Sequence, residues 1–362
     1  MRRRVSECGR EPAKSGGLVA VSIDVNPVVD VGEWQAYVER HPDSSIFHLP
    51  QWKAVLDESF PHKPMYIFAR DTGGRLCGLL PMAHIRSRLT GHRLVSLPFA
   101  HICGPIADTE ATLFAMVDRA FSLCKDLNCR YIEIRTTQTL SLDADVSEGF
   151  STYVLELSDP ERIWKMLHMR RRSIRKAKES GVNVKADDSV EGLRIFDVLN
   201  QRNKRDLGVP AQPPSFLTSI HRHMKPWYRL YLAEVEGKPL AGIVTLSFKD
   251  TVNYAYGASD PRYLGLRPND LAMWHAIEES CNKGFRHFDF GKTAQNNLGL
   301  VNFKKHWGTM ELKLRYYTYP KASASLSSGR TGKGYQLVTG IWRRLPLPVT
   351  RILSPVVFRH LD

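Results

Sequence analysis

The sequence predicts an α/β protein made of two tandem mixed-sheet units with a cleft between them, and three observations carry that expectation. The chain has 362 residues, which at ~100–200 residues per domain allows two domains or one large one. Hydrophobic residues make up 43% and charged residues 24%, the balance of a packed rather than a disordered chain. The order hairpin, strand, loop, helix, strand occurs twice, and the two hairpins align without gaps.

The elements follow in chain order. Residues 1–20 are polar and read as a disordered tail. A helix is predicted from Val31 to Arg40, with Trp34, Tyr37 and Val38 on one face. Two β-rich runs, Met65 to Arg70 and Leu76 to Ala83, flank the turn Asp71-Thr-Gly-Gly and form a hairpin. A strand from Arg93 to Phe99, a loop from His101 to Asp108, a helix from Thr109 to Leu127 and a strand from Arg130 to Arg135 complete the first unit, residues 21–150. In the second unit, residues 151–320, the run 229–246 repeats the run 65–82. Ala69/Ala233, Gly73/Gly237, Leu76/Leu240 and Gly78/Gly242 coincide. A strand from Thr251 to Ala258, a loop through Pro268, a helix from Asp270 to Lys283 and a strand from Phe285 to Phe290 complete the copy. A hairpin and third strand joined by a helix to a parallel strand make a mixed sheet of the N-acetyltransferase (GNAT) type. Such sheets bind ligand where central strands part at their C-terminal ends.

Residues 321–362 change character. Ser323 to Gly334 is a Ser/Gly-rich linker. Gln336 to Leu361 mixes aliphatics and Trp342 with Arg343, Arg344, Arg351 and Arg359. Two readings stay open for this segment: a basic amphipathic piece on an anionic membrane, or a helix docked on the protein's own body. Pro346, Pro348 and Pro355 are expected to interrupt any long helix.

Lys and Arg number 51 against 37 acids, a formal charge of +14, which favours an anionic partner. No apolar run approaches the ~18–20 residues of a spanning helix, and the start of the chain has no secretory apolar region. The expectation is a cytoplasmic protein, with peripheral contact at the inner membrane face as the alternative open for the tail. The six cysteines form no C-x-x-C pair and are read as buried thiols. No Cys/His set has the spacing of a metal site, and no nucleic-acid-binding module is recognisable.

The strongest charge signal runs from Arg170 to Lys178, where six of nine residues are cationic and none is acidic. At helical spacing Ile163, Leu167, Ile174 and Ala177 form a buried stripe, while Arg171, Arg175 and Lys178 share another face. Like charges one turn apart repel, so an anion is expected there, and guanidinium forks suit phosphate oxygens. Arg171, Arg172, Arg175, Lys176 and Lys292 are the candidate phosphate ligands. Two further motifs carry chemistry. Phe288-Asp289-Phe-Gly-Lys292 ends a strand at a glycine turn, so Asp289 is either a base or half of an ion pair. Val301-Asn-Phe-Lys304-Lys305-His-Trp-Gly sets two lysines between aromatics, where an ammonium can stabilise an acyl-transfer oxyanion or hold a phosphate. The cleft and donor loop are expected to use Tyr254, Tyr256, Arg262, Gly265 and Arg267. In that loop Arg267 stands where a CoA-binding GNAT has a small residue, Pro268 removes an amide donor, and Asp270 opposes a phosphate.

Several stretches together carry a family likeness: Phe47-His48 with Trp52; Gly78-Leu-Leu-Pro; Ser87-Arg-Leu with Gly91 and Leu94-Val-Ser-Leu-Pro-Phe; Arg172-Ser-Ile-Arg-Lys-Ala with Gly181-Val; Tyr256-Gly-Ala-Ser; Phe288-Asp-Phe-Gly-Lys; Phe303-Lys-Lys-His-Trp-Gly; and Trp342-Arg-Arg-Leu-Pro. Over residues 25–362 the sequence resembles the FemAB-like transferases. These are tandem GNAT or BioF2-like acetyltransferase proteins whose best-known members add amino acids to peptidoglycan precursors. The likeness is to the branch associated with exosortase/PEP-CTERM and exopolysaccharide genes. It implies Lys304 first, and Lys305 second, at an acyl-transfer centre, and Arg172 and Arg175 gripping the acceptor phosphate; in the mechanism expected here Lys304 stabilises the oxyanion and Asp289 or a bound water takes the proton. It implies no tightly bound cofactor, a donor that is acyl-CoA or aminoacyl-tRNA, and an anionic saccharide-phosphate or lipid-linked acceptor of the cell envelope. The sequence departs from the peptidoglycan enzymes in lacking a coiled-coil arm, which weighs against a tRNA-dependent reaction. Two alternatives stand beside this: an acetyl-CoA-dependent N- or O-acetyltransferase, and a non-enzymatic nucleic-acid or membrane-surface adaptor.

Overall fold

The computed structural model describes residues 21–87, 91–321, 333–358 and 360. The predicted tail at 1–20 and most of the Ser/Gly-rich linker lie outside the described residues. The first unit runs β1 (Ser22–Val25), α1 (Val31–Arg40), α2 (Pro50–Ser59), β2 (Lys63–Pro64), β3 (Ile67–Arg70), β4 (Leu76–Leu80), β5 (Met82–Ser87), β6 (Gly91–Ser96), β7 (Ile106–Ala107), α3 (Glu110–Asp126) and β8 (Tyr131–Thr136). The Asp30 side chain caps α1 by accepting from the Glu33 amide, and the predicted face of Trp34, Tyr37 and Val38 is buried. The hairpin forms with Ile67 opposite Leu80. Pro81 divides its second strand, as a residue without an amide hydrogen does. β4 stays with β3, β1 and β7 in a four-stranded sheet, while β5 crosses into a twelve-stranded one.

The second unit runs β9 (Asp145–Glu156), α4 (Pro160–Met166), α5 (His168–Glu179), β10 (Asn183–Ala186), α6 (Val190–Leu207), α7 (Pro214–His223), β11 (Tyr228–Val235), β12 (Lys238–Phe248), β13 (Thr251–Ser259), α8 (Pro268–Asn282), β14 (His287–Asp289), β15 (Thr293–Ala294), α9 (Leu298–Lys305) and β16 (Met310–Tyr319). The large sheet has the order β10-β11-β12-β13-β14-β9-β16-β8-β6-β5-β2, with β15 beside β9. At its centre a strand of the second unit pairs with one of the first. β16, last in the second unit, pairs with β8 of the first, and β9 pairs with β14. The units therefore meet edge to edge within one sheet, and the division expected after residue 150 falls inside β9.

Strand periodicity sets the layers. On β11, Leu230 and Leu232 join the core beneath α6 and α7 with Phe196 and Phe216. Tyr231 and Ala233 face the opposite core, with Ile174 of α5 and Ala272 and Ile277 of α8. The coincident glycines of the repeat let helices approach the sheet. A Cβ on Gly78 would sit 2.8 Å from Met116 of α3, and one on Gly242 would sit 2.7 Å from Phe196 of α6.

The tail forms α10 (Lys333–Arg344) and α11 (Leu347–Phe358). The break expected from three prolines occurs only at Leu345-Pro346, and Pro355 lies inside α11. Both helices dock on the protein: α11 buries Phe358 against Phe99 with ring centroids 4.7 Å apart, and Ser354 Oγ accepts from the Ala211 amide at 3.2 Å. Cys77, Cys103 and Cys124 are buried, and Cys129 and Cys281 are half-buried. Among the described residues no helix is long and apolar enough to cross a membrane.

Candidate active site

β13 and β14 run parallel for three residue pairs, ending at Asn253 opposite Asp289. β13 continues to Ser259, whereas the other chain turns away through Gly291, whose φ of 72° suits a residue without Cβ. The strands part there, and Asp289 closes the last pair. Its carboxylate is buried and fully engaged. Oδ2 lies 3.0 Å from His101 Nε2. Oδ1 accepts from the Gly291 amide at 2.7 Å and, in a short contact, from the Thr152 hydroxyl on β9. Burial alone would raise the Asp289 pKa. The His101 charge and the hydrogen bonds from His101, Thr152 and Gly291 outweigh it and hold the carboxyl below its ordinary value.

His101 comes from the first unit, on the loop after β6, and its neighbours fix its place. Phe99 takes a left-handed backbone, φ 63°, an uncommon conformation for a bulky residue, and packs between Phe60 at 4.5 Å and Phe358 at 4.7 Å. Phe47 meets the His101 ring edge-on at 5.2 Å. His48 Nδ1 accepts from the Ser45 amide at 3.0 Å, so Nε2–H donates to Gly104 O at 2.9 Å. Burial pushes the His48 pKa down to about 4 and keeps the ring neutral for this task. Among the described residues His101 Nδ1 has no hydrogen-bond partner.

Lys304, near the end of α9, reaches under the turn after Asp289. Its Nζ donates to Phe290 O and Gly291 O, both at 2.6 Å, and lies 3.4 Å from Lys292 O. Burial pushes its pKa down to about 8, against the pull of the Asp289 charge. Tyr254 and Tyr256 lie half-buried on β13 beyond the parting. A Cβ on Gly257 would come 1.7 Å from the Tyr254 hydroxyl, so a side chain there would displace the phenol. Burial pushes the Tyr254 phenol up to about 12 and raises that of Tyr256 as well.

The basic helix α5 divides its cations. Arg170 turns inward, bonding Asp270 Oδ1 at 2.8 Å and Phe303 O at 2.9 Å and stacking over the Phe303 ring at 4.3 Å. Arg171, Arg172, Arg175 and Lys176, with His168 and Glu179, line a groove of about 560 Å³. Ile163, Leu167, Ile174 and Ala177 are buried as the spacing predicts, although Leu167 separates α4 from α5.

The structure thus brings Asp289 and Lys304 together and gathers four α5 cations in one groove. Three of the other charged candidates have partners of their own. Lys305 pairs with Glu311 at 3.1 Å, Lys292 stands over the Phe150 ring at 5.0 Å, and Arg262 pairs with Asp260 at 2.5 Å. His101 and Thr152 were not singled out from sequence. The only pointer to His101 was its place as the one histidine in the apolar loop that follows the repeated third strand.

Residues 165–305 match the family profile of the acetyltransferase (GNAT) domain. Among solved structures the chain is similar to FemX, with 15% identity, a TM-score of 0.62, and coverage of 81% of this chain and 96% of that one. The fold is that of tandem GNAT proteins. A tandem GNAT protein from the clavulanic acid biosynthesis pathway aligns at 13% identity and TM-score 0.53, over 83% of this chain and 98% of that one. The C-terminal domain of a protein assigned as a lysylphosphatidylglycerol synthetase from Agrobacterium fabrum aligns at 13% identity and TM-score 0.56, over 82% and 94%. No curated protein sequence matches the chain.

In GNAT terms the start of α8 is where a CoA pyrophosphate would meet free amides, and this one fits that group poorly. Pro268 has no amide hydrogen. The Asp270 and Leu271 amides both donate to Arg267 O, at 3.1 and 3.4 Å. Arg267 holds a left-handed φ of 60°. Burial raises the Asp270 pKa, partly offset by Arg170, so the acid anchors α8 to α5. Gly265 lies in the tight turn Pro261–Leu266 just before.

Proposed function

We propose that this chain is an acyltransferase that moves an acyl or aminoacyl group from an activated donor to an amine or hydroxyl of a phosphorylated saccharide or lipid-linked envelope precursor. The observation that carries the reading is the His101–Asp289 pair, assembled from both units at the parting of β13 and β14. Asp289 accepts three hydrogen bonds and orients the imidazole. The Nδ1 of His101 takes the proton as the acceptor attacks the carbonyl, and Asp289 stabilises the imidazolium that results. The leaving group then departs from the tetrahedral adduct, with no covalent enzyme intermediate. Lys304 aims its N–H groups at three carbonyls, so we assign it to holding the 290–292 turn, which donates the Gly291 amide to Asp289. The neutral Tyr254 phenol is our assignment for the donor to the carbonyl oxygen. Arg171, Arg172, Arg175 and Lys176 bind the acceptor's phosphate, an assignment supported by their common groove. An acceptor bearing phosphate also fits a fold shared with a protein assigned as a lysylphosphatidylglycerol synthetase. The poor pyrophosphate cradle at α8 favours an aminoacyl donor over acyl-CoA.

The test is transfer by the full chain from labelled aminoacyl-tRNA or acyl-CoA to a nucleotide-linked or lipid-linked saccharide, read by mass spectrometry. His101→Ala should lower kcat by ~100-fold or more with KM for the acceptor little changed. Full turnover in that variant ends the proposal.

A further inference from the structure

The helix α11 is amphipathic in the reverse of the usual sense. The side it turns to the protein carries Thr350, 2% exposed, and Ser354, 1% exposed, with Phe358 at the end, whereas Ile352 is 73% exposed. Val349, Leu353 and Val356 are exposed with it. Their spacing of i, i+3, i+4 and i+7 places all four on one helical face. Ile341 on α10 and Leu207 at the end of α6 are exposed as well, and Arg343 ties those two helices together through Leu207 O at 3.4 Å. Cations lie near this surface: Arg343, Arg344 and Arg351 are exposed, Arg351 standing 4.0 Å from Asp197 of α6, and residues 333–358 contain no acid. A helix that buries hydroxyls and presents its largest aliphatics outward needs a partner for that face.

We propose that the outward face of α11, with the arginines beside it, is a docking surface for an anionic lipid bilayer, laid in the interface plane rather than across it. The charge decides the occupant. A second copy would bring the same arginines against each other across a twofold contact, and the chain's own first twenty residues hold five cations against two acids, so both are repelled. A negatively charged leaflet attracts the arginines and accepts the aliphatic side chains. The docking helix also reaches the reaction centre, since Phe358 stacks on Phe99 two residues before His101. The surface itself stands whether or not the transferase reading does.

The experiment is flotation of the full chain with vesicles of phosphatidylcholine alone and with phosphatidylglycerol added, at low and raised salt. Wild type should float with the anionic vesicles and release as salt rises. Ile352→Glu with Val356→Glu, both at exposed positions, should cut the bound fraction at least tenfold while the thermal transition stays in place. Arg344→Glu should weaken binding to anionic vesicles several-fold. Absence of wild-type binding, or binding that ignores these substitutions, overturns the proposal. A wild-type dimer that the double substitution makes monomeric, without vesicle binding, overturns it in favour of a second copy.

Discussion

The two units place the same sheet parting to different use. In the first, β6 and β8 pair in parallel from Arg93–Tyr131 to Val95–Glu133, and the space beyond is closed. Gly104 packs so tightly that a Cβ would sit 2.7 Å from Thr136. The Ser96 hydroxyl accepts from the Arg135 amide at 2.9 Å, and Arg135 forms a buried ion pair with Glu133 at 2.7 Å. In the second unit, β13 beyond Asn253 carries four consecutive half-buried residues, Tyr254 to Gly257. The buried acid there is Asp289, whose partner is a histidine lent by the first unit. One parting is filled, and a loop beside it supplies a side chain to the candidate site at the other.

If that contrast is right, the two buried acids should fail differently. Asp289→Asn should leave Oδ1 contacts largely in place, lower kcat by ~100-fold or more, and move the melting temperature little. Glu133→Gln should do the opposite. Breaking one side of a buried pair costs ~3–5 kcal/mol, seen as a fall in the unfolding midpoint, with kcat of the folded fraction within about twofold. Equal effects of the two substitutions on kcat would erase the distinction between filled parting and site.

Lys304 sharpens the same contrast at smaller scale. Lys304→Met keeps the aliphatic stem but leaves the carbonyls of Phe290 and Gly291 without their donor, which costs ~1–3 kcal/mol in a buried setting. As a positioning residue it should also lower kcat, because the Gly291 amide that steadies Asp289 shifts. Its mark is a changed pH profile for kcat as Asp289 loses its hold. A variant that is less stable but keeps the wild-type pH profile would reduce Lys304 to a structural brace.

How much of this was readable beforehand follows from what is local. The hairpins, the parallel strand after each crossover helix, the strand-end position of Asp289 and the exposed cations of α5 all depend on neighbours within a few residues, and the sequence carries such signals. The pairing of β16 with β9 joins residues more than 150 apart, as with Ser151 and Glu311, and no periodicity encodes it. Arg170 looked like one more cation in a run, because only the tertiary fold sets Asp270 and Phe303 opposite it. His101 was hidden for a related reason. A loop residue gains its role from the atom it meets 188 positions away, and here that meeting is held by Phe47 and His48 from one segment and Phe358 from another.

The smallest expected effect compares Asp289 with Asp270, two buried acids each beside a cation. The Asp289 pKa is held below its ordinary 3.8, so its contribution to stability is complete above that pH and is lost as pH falls through the lower folded value. The Asp270 pKa is raised above 3.8, because burial outweighs the guanidiniums of Arg170 and Arg267. Its ionised form therefore weighs against folding above that pH, and protonation relieves the burden as pH falls. Urea unfolding between about pH 5 and pH 3 separates the two by sign. Relative to wild type, Asp289→Asn should lose stability less steeply on acidification, and Asp270→Asn more steeply. The same change of slope in both would mean that hydrogen bonds from His101, Thr152 and Gly291 do no more for Asp289 than Arg170 and Arg267 do for Asp270, and the second unit's site would lose its claim to be built around an anion.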